Sequence, residues 1–325
     1  MANVLVVGGA GYVGGAVTDR LMDTDHKVRV YDSLVYEESY RKPIEFVFGD
    51  VRDRDRLLTQ LQWADVVVWL AALVGDGACA FDADLTREIN ETSVNWLAEH
   101  YRGRIIFVST CSVYGARDGV LDESSPLNPL SVYAATKLNA EAHLREKNAI
   151  IFRLGTLFGV GDVFSRIRLD LVVNVLTVKA CLYNRISLFG GDQYRPLLHV
   201  KDVAEAICRN FETSHTGIYN LHSVNVQIRD LADDFIKHFQ GLEVQRTDVK
   251  FQDNRNYSVS SDKARREWGF TPRHTVDDGI AELKAIIQEG RIKSIGTPRH
   301  SNQRFLKDYL DKPASPLGFE VRPAI

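Results

Sequence analysis

The chain has 325 residues, 45% of them hydrophobic and 26% charged, with a formal net charge of −3 and a pI near 6.3. These values describe ordinary globular composition, long enough for two modest domains or one large α/β domain, and the lack of a basic excess argues against nucleic acid or an anionic membrane as partner. Four scattered cysteines without a C-x-x-C pair exclude a disulfide framework and a zinc site, and with no targeting segment and no apolar run near the ~18 residues of a membrane span, a cytoplasmic protein with reduced thiols is expected.

The first half alternates short apolar runs with amphipathic stretches. Strands are predicted at residues 4–7, 28–31, 46–48, 66–70, 105–108 and 150–154, with helices at 14–22, 87–100 and 132–146 between them. The strands are β-branched and nearly continuous, as strands covered on both faces are. Strand–helix alternation predicts an α/β fold with a doubly wound parallel Rossmann sheet. Beyond about residue 160 the pattern loosens. A helix at 169–180, strands at 186–189, 197–200 and 218–221, and helices at 228–240 and 276–289 suggest a smaller interleaved α/β lobe, with Asp202 as an N-cap. The expected division is a dinucleotide-binding domain over 1–160, to which segments near 195–220 return, and a second lobe over 161–325. The proline-bearing tail after Gly296 reads as an irregular arm.

Residues 4–14 run from a strand through Gly8, Gly11 and Gly14 into a helix, with Tyr12 and Val13 at its start. This spacing supplies a permissive turn, close approach of a pyrophosphate, and helix N-terminal amides. Asp32, closing the second strand, suits the adenosine ribose hydroxyls and repels a 2′-phosphate, so NAD is expected over NADP; its plainer reading is a turn or cap residue. Asp50-Val51 and Leu70-Ala71-Ala72 lie at the carboxyl ends of the next strands, where open sheets bind ligands. Asp50 either reaches adenine or caps a helix. Further on, Tyr133 and Lys137 stand four residues apart on one helix face, a spacing that lets a cation favour the phenolate.

Together the glycine loop, Asp32, Leu70-Ala71-Ala72, Asn90, the run Ser109-Thr110-Cys111-Ser112-Val113-Tyr114-Gly115 and Tyr133-x-x-x-Lys137 resemble the extended short-chain dehydrogenase/reductases, which include the NAD-dependent nucleotide-sugar epimerases and dehydratases. The likeness extends to residues 195–200 and 255–257. Residues 71–75, 166–174 and 278–280 look most like a branch containing a bacterial GDP-heptose 4-dehydrogenase.

The resemblance implies catalysis on a nucleotide-diphosphate sugar, with Tyr133 as base, Lys137 lowering its pKa and holding the nicotinamide ribose, and Thr110 bonding the reacting hydroxyl at C4′ of the sugar. It places Asn90 with the cofactor. The 4,6-dehydratases carry an Asp-Glu pair directly after the threonine, where this chain has Cys111 and Ser112, so dehydration is disfavoured. Cys111 is either a small half-buried loop residue or an acid/base for an adjacent carbon, as in cysteine-assisted 3,5-epimerases. Arg195 and Arg255 match pyrophosphate-binding positions, or else form surface ion pairs. Arg166 and Arg168, with Asp170, face phosphate or sugar or simply pair with one another. Asn174, Thr156, Val74 and Gly75 complete the expected sugar side. No metal is expected. The family likeness implies a homodimer through the helices at 90–100 and 132–146. Transient oxidation at C4′ followed by return of hydride makes an epimerase; net oxidation makes a dehydrogenase; a non-catalytic NAD sensor would be expected to have lost the Tyr-x-x-x-Lys pair.

Overall fold

Seven parallel strands form the centre of a computed structural model of the chain, which describes residues 1–162, 164, 166–247, 256–292 and 294–310. Across the sheet the order is Gly217–Leu221, Ala149–Leu154, Arg104–Thr110, Val66–Trp69, Asn3–Val7, Lys27–Asp32 and Glu45–Phe48, every neighbouring pair parallel. Period-two alternation shares each strand between two cores. Val4 and Val6 pack with Ala16, Val17 and Leu21 of helix Tyr12–Met22 and with Val203 and Ile207 of helix Val200–Cys208. Leu5 and Val7 pack with Leu57 and Leu61 of helix Arg54–Trp63 and with Val94 and Leu97 of helix Ser93–His100. Covered on both faces, the strands are apolar nearly throughout, and the doubly wound α/β fold follows.

The chain winds outward from Asn3–Val7 in one direction, then crosses to Val66–Trp69 on its other side. Strand order therefore reverses between these two, and the crevice beyond their carboxyl ends is where such a sheet binds ligands.

Over the crevice sits a second layer. Tyr194–His199 pairs with Thr156–Phe158 in parallel and with Val224–Gln227 antiparallel. Arg185–Phe189 pairs with Glu243–Thr247. Phe158, Leu176, Leu197, Phe235 and Ile280 make its core with helices Val172–Tyr183, Leu231–His238 and Val276–Gln288. Of the segments near 195–220, strand Gly217–Leu221 and helix Val200–Cys208 join the first layer, whereas strand Tyr194–His199 stays in the second.

Two local expectations are corrected. His199, not Asp202, caps helix Val200–Cys208, its ring nitrogen accepting from the Lys201 amide at 3.2 Å. The Asp202 carboxylate instead accepts from the amides of Arg273 and His274. The tail after Gly296 is also not simply irregular: Asn302–Leu310 is a helix whose Phe305, Leu306, Tyr309 and Leu310 pack on the core beneath helix Asp76–Cys79. Among the described residues no helix is long and apolar enough to cross a membrane, and no group of side chains is arranged to hold a metal ion.

Candidate active site

The first strand turns into its helix at Gly8, whose φ of +85° belongs to the left-handed region. A Cβ there would lie 2.5 Å from the Ala71 nitrogen, and one on Gly14 would lie 2.5 Å from the Gly8 carbonyl oxygen. Both contacts are with backbone, so neither position tolerates a side chain and bare peptide faces the crevice there. Gly11 is the N-cap of helix Tyr12–Met22, without a side-chain cap and with no acidic residue in the first turn. The helix start is thus a site for a diphosphate. At the neighbouring strand end Asp32 accepts from the Ala10 and Leu34 amides at 3.0 and 2.8 Å, which fixes its carboxylate at the crevice wall; burial raises its pKa. A cradle closed to a Cβ at Gly8 and Gly14, beside a fixed carboxylate, fits the diphosphate and ribose of NAD.

The crevice opens into a cleft of about 1450 Å³ that runs beneath the second layer. Gly8, Gly11, Tyr12, Val13, Gly14, Asp32, Val51, Leu70, Ala71 and Ala72 line it, as do Thr110, Tyr133 and Lys137. Thr110 ends strand Arg104–Thr110, its hydroxyl accepting from the Ser112 amide at 3.1 Å. Tyr133 and Lys137 occupy the first turns of helix Val132–Leu144. Ser131 caps that helix by accepting from Ala134, and donates to Asp76 at 2.7 Å. Burial holds the Tyr133 phenol above its ordinary pKa, while the Arg168 charge and a hydrogen bond with Thr110 act in the opposite sense. Burial lowers Lys137 to about 7, against the pull of the Glu141 charge, and its ammonium lies 4.0 Å from the centre of the Phe107 ring.

Behind these groups is a buried ion pair that the sequence reading missed. Glu141, one turn beyond Lys137, accepts from Arg153 Nη2 at 2.6 Å and from Ser109 at 2.5 Å, and Arg153 donates to the Tyr114 hydroxyl at 3.0 Å. The network locks the helix of Tyr133 to the strands of Thr110 and Arg153.

Four expected site residues do not face the cleft. Cys111 is fully buried among Val113, Tyr114, Leu121 and Tyr257 and donates to the Arg153 carbonyl, with burial raising its pKa, a placement that fits the packing alternative rather than the acid/base one. Thr110 and Ser112 on either side of it line the cleft, and the intervening side chain points away from it. Asp50 is turned onto Arg52, at 3.0 and 2.9 Å, rather than toward adenine or a helix start; Asp53 caps helix Arg54–Trp63. Asn90, buried in a π-helical turn at Glu88–Thr92, bonds both the amide and the carbonyl of Leu73 and so shapes the loop after Val66–Trp69 from behind. Asn174 does the same for Gly159, bonding its amide and carbonyl.

Val74, Gly75, Thr156, Arg166, Arg168 and Arg195 also line the cleft. Arg168 pairs with Asp170 at 3.0 Å, and Arg195 donates to the Tyr194 carbonyl at 2.8 Å. Arg255 lies outside the described residues. The structure adds Tyr36, Lys179, Gln193 and, from the C-terminal arm, Asn302 and Gln303. The arm's contribution had a signal in the sequence: apolar side chains at 305, 306, 309 and 310 mark one helix face.

Over 88% of its length the chain is 26% identical to a UDP-glucose 4-epimerase of Corynebacterium glutamicum, 94% of which is covered. A UDP-glucose 4-epimerase of Streptomyces lividans is 30% identical over 62% of this chain and 69% of its own. Among solved structures, a dTDP-glucose 4,6-dehydratase from Streptomyces venezuelae with NAD and TYD bound has a TM-score of 0.77 at 25% identity, covering 89% of this chain and 98% of that one. The fold of a UDP-glucose 4-epimerase from Thermotoga maritima also matches, with a TM-score of 0.77 at 20% identity over 88% of this chain and 99% of its own. With residues 4–221 matching its pattern and a crevice shaped for the dinucleotide, the chain belongs to the NAD dependent epimerase/dehydratase family and uses NAD.

Proposed function

We propose that the protein is a nucleotide-sugar epimerase that works through a keto intermediate at C4′. The observation that carries this reading is the cleft wall around Thr110: Tyr133 and Lys137 stand beside it, Ser112 follows it, and Cys111 is turned into the core. Proton removal from a hydroxyl has its base, and a dehydratase's acid–base pair has no counterpart at those positions. Tyr133 takes the proton of the C4′ hydroxyl while Thr110 holds that oxygen. Lys137, desolvated one helical turn beyond Tyr133, is the cation assigned to favour phenolate once it is protonated. Bound NAD supplies the hydride acceptor at C4′ and, when reduced, the donor. Hydride returned by that cofactor to the opposite face of the keto sugar would invert the carbon. Arg195 is assigned to the diphosphate of the substrate, as a two-pronged donor.

A second reading is net C4′ oxidation of a GDP-heptose-like sugar. Its support is that Ala71–Gly75 and Arg166–Asp170, which carry the likeness to that branch, meet at the cleft. The experiment supplies NAD-loaded protein with UDP-, GDP- and dTDP-sugars and follows nuclear magnetic resonance and reduced-nicotinamide absorbance together. A new sugar diastereomer without net absorbance growth is the epimerase outcome; a keto sugar with stoichiometric reduced cofactor selects the dehydrogenase. Turnover by Tyr133→Phe equal to wild type would sink both. We also propose a homodimer through helices Ser93–His100 and Val132–Leu144, which sedimentation velocity tests: a monomer at micromolar concentration rejects it.

A further inference from the structure

We propose that Arg166 is a cofactor residue: its guanidinium, held by the C-terminal arm, binds the diphosphate of NAD together with the glycine loop. Arg166 is 5% exposed and lines the cleft. Its Nε donates to the Arg299 carbonyl at 3.1 Å, and its guanidinium carbon lies 3.5 Å from the centre of the Tyr36 ring. Its Nη2 is buried with no hydrogen-bond partner among the described residues, and so are the Tyr36 hydroxyl and Asn302 Oδ1. Tyr36 and Asn302 line the same cleft. A buried cationic donor left without an acceptor carries an uncompensated desolvation cost, which an anionic ligand offsets. Burial accordingly depresses Arg166 to about 10.

The nearby acids are already engaged. Glu37 pairs with Arg299 at 3.2 Å, and Asp170 accepts from Arg168 and from the Asn302 amide. Their charges reach Arg166, but neither supplies an acceptor to its Nη2, which is left for a ligand oxygen.

The surroundings decide which anion it is. On the nucleotide-sugar reading the cleft holds two diphosphates, one from each nucleotide. Arg195 stands on a strand of the second layer, near Gln193 and Ile228. Arg166 instead stacks on Tyr36, on the segment that continues from Asp32 at the ribose corner. Arg299 ties the arm to that same segment through the Tyr36 carbonyl at 3.1 Å, and Asn302 ties it to the Val74 carbonyl at 2.7 Å. Tyr36 and the arm therefore meet at Arg166, next to the ribose corner that Asp32 marks. Only this partition between the two diphosphates rests on the nucleotide-sugar reading; contact with NAD stands on the family's cofactor.

Calorimetry on cofactor-stripped protein tests the assignment, with NAD, ADP-ribose, adenosine, and whichever of UDP, GDP and dTDP the wild type binds. Arg166→Gln should weaken NAD and ADP-ribose on the order of ten- to hundred-fold, as loss of a charge-assisted bond does, with adenosine and the nucleoside diphosphate unchanged. Arg195→Gln should show the reverse pattern. If Arg166→Gln does not fold, Arg166→Lys keeps the charge and loses the planar fork, and should weaken NAD several-fold alone. Unchanged NAD affinity, weakening of the nucleoside diphosphate alone, or equal weakening of both overturns the assignment. If the wild type binds no nucleoside diphosphate, the nucleotide-sugar reading fails while the ADP-ribose comparison still decides Arg166.

Discussion

Replacing Glu141 by glutamine leaves the shape of the site intact and removes one buried charge. Glu141 and Arg153 are 0% and 1% exposed, and the carboxylate accepts three bonds from the guanidinium, at 2.6, 3.0 and 3.2 Å, besides the one from Ser109. The substituted amide would offer one oxygen where two were used and would aim its own donors at a guanidinium that has no acceptor to return. Breaking a buried pair from one side costs about 3–5 kcal/mol, against a total stability on the order of 5–15 kcal/mol for a typical domain. Urea unfolding of the stripped protein should show a loss of that size. Arg153→Met alone strands the carboxylate and should cost a similar amount. The double variant should be more stable than the sum of the two losses requires, by about 2 kcal/mol or more. The site should respond too: the Glu141 charge raises the pKa of Lys137, so Glu141→Gln should drive that lysine below about 7 and, because the lysine acts as a cation, move the alkaline limb of the rate profile downward. A single-variant loss under about 1 kcal/mol, or strict additivity in the double, refutes the argument that the pair is a desolvated unit.

Gly14→Ala sets a methyl 2.5 Å from the Gly8 oxygen and 2.6 Å from the Gly9 Cα, neither able to move aside, so NAD affinity should fall at least about ten-fold, from a strain of ~1–3 kcal/mol; unchanged calorimetric affinity contradicts this. Cys111→Ala should cost about 1–2 kcal/mol in urea unfolding and leave turnover within about three-fold, because the thiol packs in the core; a loss of orders of magnitude restores the acid/base reading. Lys137 has a folded pKa near 7 and an unfolded value of 10.5, so between these pH values the unfolded chain binds the extra proton and stability rises with pH. Compared with Lys137→Met, stripped wild type should gain stability from pH 7 to about 10 and run parallel below pH 7; a difference flat across the whole range rejects the depressed lysine.

The sheet was legible because its strands are buried on both faces. Every predicted strand of the first half falls within one or two residues of an observed one, since a run such as Val66–Trp69, wholly buried, leaves only its ends in question. The helix expected at 87–100 is broken into Ala83–Arg87, a π turn and Ser93–His100 because its apolar period says nothing of the extra residue that aims Asn90 at Leu73. Short pairings such as Val120–Leu121 with Ser258–Val259 carry too few side chains to show a period. At the site, Gly8 and Gly14 announced themselves through backbone demands that no other residue meets. Asp50, Asn90 and Asn174 bond Arg52, Leu73 and Gly159, because a polar residue near a strand end can bond a ligand or bond the loop that meets the ligand, and spacing alone does not separate the two. Arg153 and Glu141 were hidden for a related reason: each sits in a segment whose neighbours are apolar, and the pairing is made only in three dimensions.

Residues as distant in the chain as Gly8 and Asn302 border the same cleft, and this orders the birth of the protein. A ribosome that has released residue 221 has delivered every strand of the central sheet, yet Tyr36 still lacks Arg299 above it and Val74 still lacks Asn302. Synthesis therefore completes the strands of the sheet before it supplies Arg299 and Asn302, the residues that tie the arm to Tyr36 and Val74 at the cleft.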